Sequence, residues 1–229
     1  PNPAIYRFAP NISIIISQLT SPKLPVLYPV DMVLDKDGKF IILDRGQVPT
    51  DDPPQGTASP KIVIVEETPT DPSPFKITEI PLTKVIEPTA LIIDAAGNYR
   101  EPQQDTSIPF DRPAAIIRVD PNTNPATETS LLESVDENPL IFPTSMIFEN
   151  SSSLLVCDLG VRWGYAAEDR TYRFMAEAPA IYRIGLEEVS PPTIVKISNQ
   201  NGLVYPTKII FDRSGRLIVL DRGEFLAPR

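Results

Sequence analysis

Three aspartates close apolar runs in the same register. Asp44 follows Phe40-Ile41-Ile42-Leu43, Asp158 follows Leu154-Leu155-Val156-Cys157, and Asp221 follows Leu217-Ile218-Val219-Leu220. If the segments close into a ring, equivalent positions converge on its axis. A ring of carboxylates suits Ca²⁺, which takes several oxygen ligands, so Asp44, Asp158 and Asp221 are candidate metal ligands. The same residues have a structural reading. A strand-end Asp can bond nearby backbone N–H groups and close a turn, and Arg45 and Arg222 follow two of the three as charge partners. We favour this second reading, because Leu159 replaces the arginine in one copy and a further copy of the segment lacks the Asp.

Other chemistries are narrowed by composition. The chain has 229 residues and no His, which removes Ser–His and Cys–His nucleophile pairs. Cys157 ends an apolar run and reads as an inert core thiol. As the single Cys it excludes an internal disulfide framework. Asp35-Lys36-Asp37-Gly38 begins like a calcium loop but lacks the later ligands. Asp212-Arg213-Ser214-Gly215 stands in the same place, so both read as hairpin turns. Asn11-Ile12-Ser13 and Asn150-Ser151-Ser152 match the N-glycosylation pattern, and plain solvated turns account for them as well.

One long connection, Val161 to Ala178, carries Trp163, Tyr165, Tyr172 and Phe174 among Arg162, Arg170 and Arg173. Aromatic residues and arginine are the types enriched at interface centres. Arg162, Trp163, Tyr165 and Tyr172 are therefore candidate partner-binding residues, for a protein or a small molecule on the long-loop face. The competing reading is that the aromatics pin the loop to the body.

The elements that position these residues come from a repeat. Tyr205 to Gly223 reads YPTKIIFDRSGRLIVLDRG, and Tyr28 to Gly46 reads YPVDMVLDKDGKFIILDRG. Phe142 to Gly160 is a weaker copy, and a fourth begins at Glu87 and decays after Gly97. In the two close copies Pro starts a strand, an acidic residue and Gly supply a turn, and a second apolar run follows, which is a β-hairpin. Runs that are apolar on consecutive residues need cover on both faces. After the hairpins come strand pairs: 61–66 with 75–80, 114–119 with 129–134, and 179–184 with 193–198. PAIYRF at 3–8, with 12–18, answers PAIYRI at 179–184. With hairpin strands A and B and following strands C and D, the order is CD, ABCD, ABCD, ABCD, AB. The expectation is an all-β chain forming a single domain over 1–229. It is a β-propeller of four blades, each of four antiparallel strands, with the ring closed by the N-terminal and C-terminal strand pairs. The second repeat is irregular, because Pro102 stands where strand B should run.

The pattern P-x-x-apolar-apolar-x-D-x-x-G, then apolar-apolar-apolar-x-D-x-G, then apolar-Tyr/Ile-Arg-apolar, resembles NHL and SMP-30/gluconolactonase-like propeller repeats. Ile116-Ile117-Arg118-Val119-Asp120-Pro121 is similar to a strand of that type. The resemblance implies a propeller. In the lactonase branch it also implies a divalent metal in the central tunnel that polarises a lactone. That branch's mixed Glu/Asn/Asp ligand set is not recognisable here.

Net charge is −9, a surface that repels nucleic acid and anionic membranes. No run of 18 apolar residues occurs, so no membrane-spanning helix is expected. The chain starts with Pro without a signal peptide and reads as a mature, trimmed or partial product. The functional expectation is a non-catalytic propeller, a scaffold or interaction module that needs no cofactor, in an extracellular or periplasmic setting. One alternative is a metal-dependent lactonase-like hydrolase with Ca²⁺ as its candidate cofactor. Another is a self-associating structural subunit.

Overall fold

The computed structural model describes residues 6–8, 16–18, 25–46, 59–68, 75–84, 87–94, 99–104, 114–123, 125–132, 138–166, 171–176, 178–186, 192–198 and 202–223. Every regular element among them is a β-strand and every sheet is antiparallel, as the consecutive apolar runs and frequent prolines lead one to expect. The chain divides into two compact units, Pro1–Thr83 and Lys84–Arg229.

In the first unit, β1 (Tyr6–Phe8) pairs with β2 (Ile16–Gln18). A four-stranded sheet follows in sequence order: β3 (Pro29–Leu34), β4 (Phe40–Asp44), β5 (Lys61–Glu67) and β6 (Phe75–Pro81). Strand β4 lies inside the sheet, and its Ile41, Ile42, Leu43 and Asp44 are all buried. The tight link between β3 and β4 is the Asp35–Gly38 turn. Asp35 Oδ1 accepts from the N–H of Asp37 at 2.9 Å and of Lys39 at 2.8 Å. The turn is local Asx chemistry.

The second unit holds the remaining repeats. The second repeat contains β7 (Glu87–Pro88), β8 (Ile92–Ile93), β9 (Tyr99–Gln104), β10 (Ala115–Asp120) and β11 (Thr127–Ser130), in the order β11-β10-β9-β7 with β8 also on β9. The irregular strand B is thus present as β9, and strand A is split. Pro102 lies in β9 opposite Ile116 of β10. It has no N–H to give to the other neighbour, and the ladder there breaks between Pro88 and Ile92. The last strand falls at 127–130, earlier than the expected 129–134. Thr123 closes the preceding turn, its Oγ1 accepting from the Thr127 N–H at 2.7 Å and donating to the Asp120 carbonyl at 3.1 Å.

In the third repeat, β12 (Pro143–Asn150), β13 (Ser153–Asp158), β16 (Ala180–Gly185) and β17 (Ile194–Lys196) form one sheet. Between β13 and β16 the chain makes a separate hairpin, β14 (Val161–Ala166) with β15 (Thr171–Ala176). In the fourth repeat, β18 (Pro206–Phe211) pairs with β19 (Leu217–Asp221). The pairs β1–β2 and β18–β19, expected to merge into one blade, are separate two-stranded sheets, and no sheet is closed.

Adjacent repeats of this unit pack face to face. Ile116 and Leu132 of the second repeat share a core with Met146, Leu154, Val156 and Ile184 of the third. Leu155, Cys157 and Ile181 of the third share one with Ile209 of the fourth. A side-chain bond accompanies each seam. Thr89 Oγ1 donates to the Pro143 carbonyl at 2.6 Å, and Thr144 Oγ1 to the Pro206 carbonyl at 2.9 Å. The threonine follows the repeat's proline in both cases. In the first repeat that position is Val30, which has no hydroxyl.

Candidate functional site

The three aspartates occupy one local geometry. Pro29 lies opposite Asp44, Pro143 opposite Asp158, and Pro206 opposite Asp221, each with a register shift at the next pair. The hairpin therefore returns each carboxylate to the residues just before its own starting proline. Asp44 Oδ2 accepts from the Leu27 N–H at 3.0 Å, and its Oδ1 from Tyr28 at 2.7 Å and Gly46 at 3.2 Å. Asp158 Oδ2 accepts from Ile141 at 2.8 Å and Phe142 at 3.0 Å, and its Oδ1 from Gly160 at 2.7 Å. Asp221 Oδ2 accepts from Val204 at 2.7 Å, and its Oδ1 from Tyr205 at 2.9 Å and Gly223 at 2.7 Å. The glycine two residues on has φ of 77°, 70° and 71° in turn, a left-handed conformation that Gly adopts without strain and that aims its N–H back at the carboxylate.

Chemically this is a staple. Each carboxylate accepts from three backbone N–H groups, the arrangement of charge-assisted hydrogen bonds. The effect on Asp221 follows: the Val204 N–H first, with those of Gly223 and Tyr205, holds its carboxyl below the usual range against an opposing effect of burial. Among the described residues no three His, Cys, Asp or Glu side chains gather as a metal-binding group. In the second repeat Gln103 takes the register position of the aspartate, opposite Pro88.

The arginines beside the aspartates have their own contacts. The guanidinium of Arg45 lies 5.3 Å from the centre of the Tyr28 ring, and that of Arg222 5.3 Å from the Tyr205 ring, a cation–π distance. Arg45 Nε is buried there with no hydrogen-bond partner among the described residues. The third repeat changes both members together, to Phe142 and Leu159. In all three the backbone closes the same way, from the N–H of Arg45, Leu159 or Arg222 to the carbonyl of Tyr28, Phe142 or Tyr205.

Cys157 is fully buried, and burial pushes its thiol up to about 12. It is a core side chain at the seam between the third and fourth repeats. Asn150 sits at the β12–β13 turn, where its Oδ1 accepts from the N–H of Ser152 at 2.8 Å and from its Oγ at 2.9 Å. Asn11 lies outside the described residues.

The connection Val161 to Ala178 is an added hairpin and not a plain loop. Its register sets Trp163 opposite Phe174 and Tyr165 opposite Tyr172. Successive strand residues belong to opposite faces, so these four positions share one face. Arg162, opposite Met175, and Arg173, opposite Gly164, belong to the other. Of the four candidate partner-binding residues, the hairpin brings three together and separates Arg162. Spacing within the loop carried this signal, because Trp163 and Tyr165, like Tyr172 and Phe174, are two apart.

Two features escaped the sequence reading. Glu149 holds Arg183 through both carboxylate oxygens, at 2.6 Å to Nε and 2.5 Å to Nη2. The Arg183 guanidinium, ahead of the Ser153 hydroxyl, holds the Glu149 carboxyl below its usual range. An acidic residue does recur at that position of every hairpin, as Asp35, Asp94, Glu149 and Asp212. The threonine links at the seams were legible only as a repeated Pro-Thr. The chain matches no protein-family model and no curated protein.

Proposed function

We propose that the chain is a non-catalytic β-repeat scaffold of the four-bladed propeller type, resembling NHL and SMP-30-like repeats, that binds a protein partner through the β14–β15 hairpin. The carrying observation is the register of that hairpin, which gathers Trp163, Tyr165, Tyr172 and Phe174 on one face of a sheet only two strands wide. Aromatics supply large contact area at low entropic cost. Hydrogen bonding at the strand-end aspartates supports a scaffold role, because those carboxylates tie down backbone at the start of each hairpin. An extracytoplasmic setting is part of this reading.

Trp163 is the single tryptophan, so its fluorescence reports on the hairpin alone. The expected result is a solvent-like emission that acrylamide quenches freely, with Trp163→Ala leaving the melting temperature unchanged. Quencher protection together with a large loss of melting temperature would mean that the aromatic face packs on the body, and the reading would fail. Turnover of a lactone that depends on added Ca²⁺ and is lost in Asp221→Ala would replace it with the hydrolase.

A further inference from the structure

The β14–β15 hairpin continues the pairing of its parent sheet without that sheet's flanks. Strands β13 and β16 end their ladder with Asp158 opposite Ala180, and after Leu159 and Gly160 the pairing resumes with Val161 opposite Ala176. In the parent sheet β12 lies outside β13, and β17 lies outside β16. Among the described residues no strand lies outside β14 or β15. An outer edge of this kind carries backbone N–H and C=O groups on which another strand can pair.

The two faces of the hairpin differ in kind. Trp163, Tyr165, Tyr172 and Phe174 belong to one, and Arg162 and Arg173 to the other. Arg162 stands opposite Met175 and Arg173 opposite Gly164, which makes the two arginines diagonal neighbours. Such positions are about 7–8 Å apart, and like charges on one face repel. Neither strand carries an acidic residue, although the chain's net charge is −9, and Glu168 and Asp169 fall in the link beyond the strands. A carboxylate set between the two arginines would pair with both. Gly164 places that carboxylate. A residue beside it on an added strand is diagonal to Arg162 and faces Arg173 across a position with no side chain. A glycine inside a strand also lets another backbone come close.

We infer that the outer edge of β14 takes an extended segment of a partner protein whose residues alternate apolar and acidic. Alternation along a strand sends successive residues to opposite faces, so the apolar ones meet the aromatic face and the acidic ones the arginine face. Main-chain pairing supplies the docking and the alternate side chains supply the selection. The inference rests on the reading of the hairpin as a binding element and names the chemistry of its partner.

The probe is a short peptide that alternates leucine and glutamate, titrated at low ionic strength and followed by the emission of Trp163. Binding should be saturable. Lysine in place of glutamate should weaken it by about tenfold or more. Methylating the peptide's backbone nitrogens removes the strand donors but keeps the charge, and should abolish it. Arg162→Glu should erase the preference for glutamate, and Arg173→Gln repeats the test if the first variant loses its circular dichroism spectrum. Absence of binding, equal binding of the two peptides, or full binding of the methylated one would overturn the inference. With a solvent-like Trp163 emission in the free protein, any of these results leaves the hairpin reading standing. Emission that shifts with protein concentration alone would give the edge to a second copy of the chain and overturn the inference too. Quencher protection of Trp163 in the free protein would be the failure of the hairpin reading itself, and this inference would fall with it.

Discussion

The recurrent aspartate is a backbone anchor at every position where its side chain is described. Asp158 is buried and receives the N–H groups of Ile141, Phe142 and Gly160. Removing it leaves those donors unmet at a buried site, a loss of about 1–3 kcal/mol. Asp158→Ala should therefore lower the urea midpoint without changing the slope. Asp221 allows a pH test. Its folded carboxyl is held below the unfolded value, chiefly by the Val204 N–H. A depressed group contributes stability that is fully present above its unfolded pKa and is lost as pH falls through the folded one. Melting temperature should thus be steady from neutral pH down to about 4 and fall below it. Asp221→Asn should start lower and show a shallower acid fall.

At the scale of elements, the hairpins are specified by their turns. Gly38 and Gly215 have φ of 81° and 75°, and a Cβ at either would meet nothing within 4 Å. The cost of Gly215→Ala is therefore conformational alone, about 1 kcal/mol, and a urea titration should return that value. A much larger loss would mean that the turn carries contacts beyond its own backbone. The Glu149–Arg183 pair makes a useful contrast. It is bidentate, yet both side chains are partly exposed, so it contributes little despite its short bonds. The β12–β13 hairpin owes more to the buried apolar row beneath it.

At the scale of the molecule, the second unit is a stack whose seams can be tested one at a time. Thr144 donates from one repeat to the Pro206 carbonyl of the next, and Cys157 lies buried in the same seam. Thr144→Val removes the bond but keeps the volume, a loss of about 0.5–1.5 kcal/mol. The thiol is the chain's single one, so its reaction with a thiol reagent reports opening of this seam. Labelling of the native wild type should be slow, and Thr144→Val should speed it by about twofold to tenfold if opening of the seam limits the reaction. Equal rates would mean that the bond does not hold the seam.

The hairpins were legible in the sequence because their causes are local. A proline, an acidic residue with a nearby glycine, and two apolar runs need only their neighbours to act, and the repeat displays them several times over. The role of Asp44, Asp158 and Asp221 was half legible. Residue type and register showed that they matter, but their partners are N–H groups brought close by the hairpin's return, which no motif spells out. Tertiary structure alone decided the rest. Pro102 is carried in β9 by splitting the strand beside it. Trp163 and Tyr172 share a face because the connection folds as a hairpin, a consequence of register and not of composition. Cys157 and Leu220 end equivalent apolar runs, yet one is buried and the other exposed. The fourth repeat packs over Cys157, and burial of a face is settled by its neighbour.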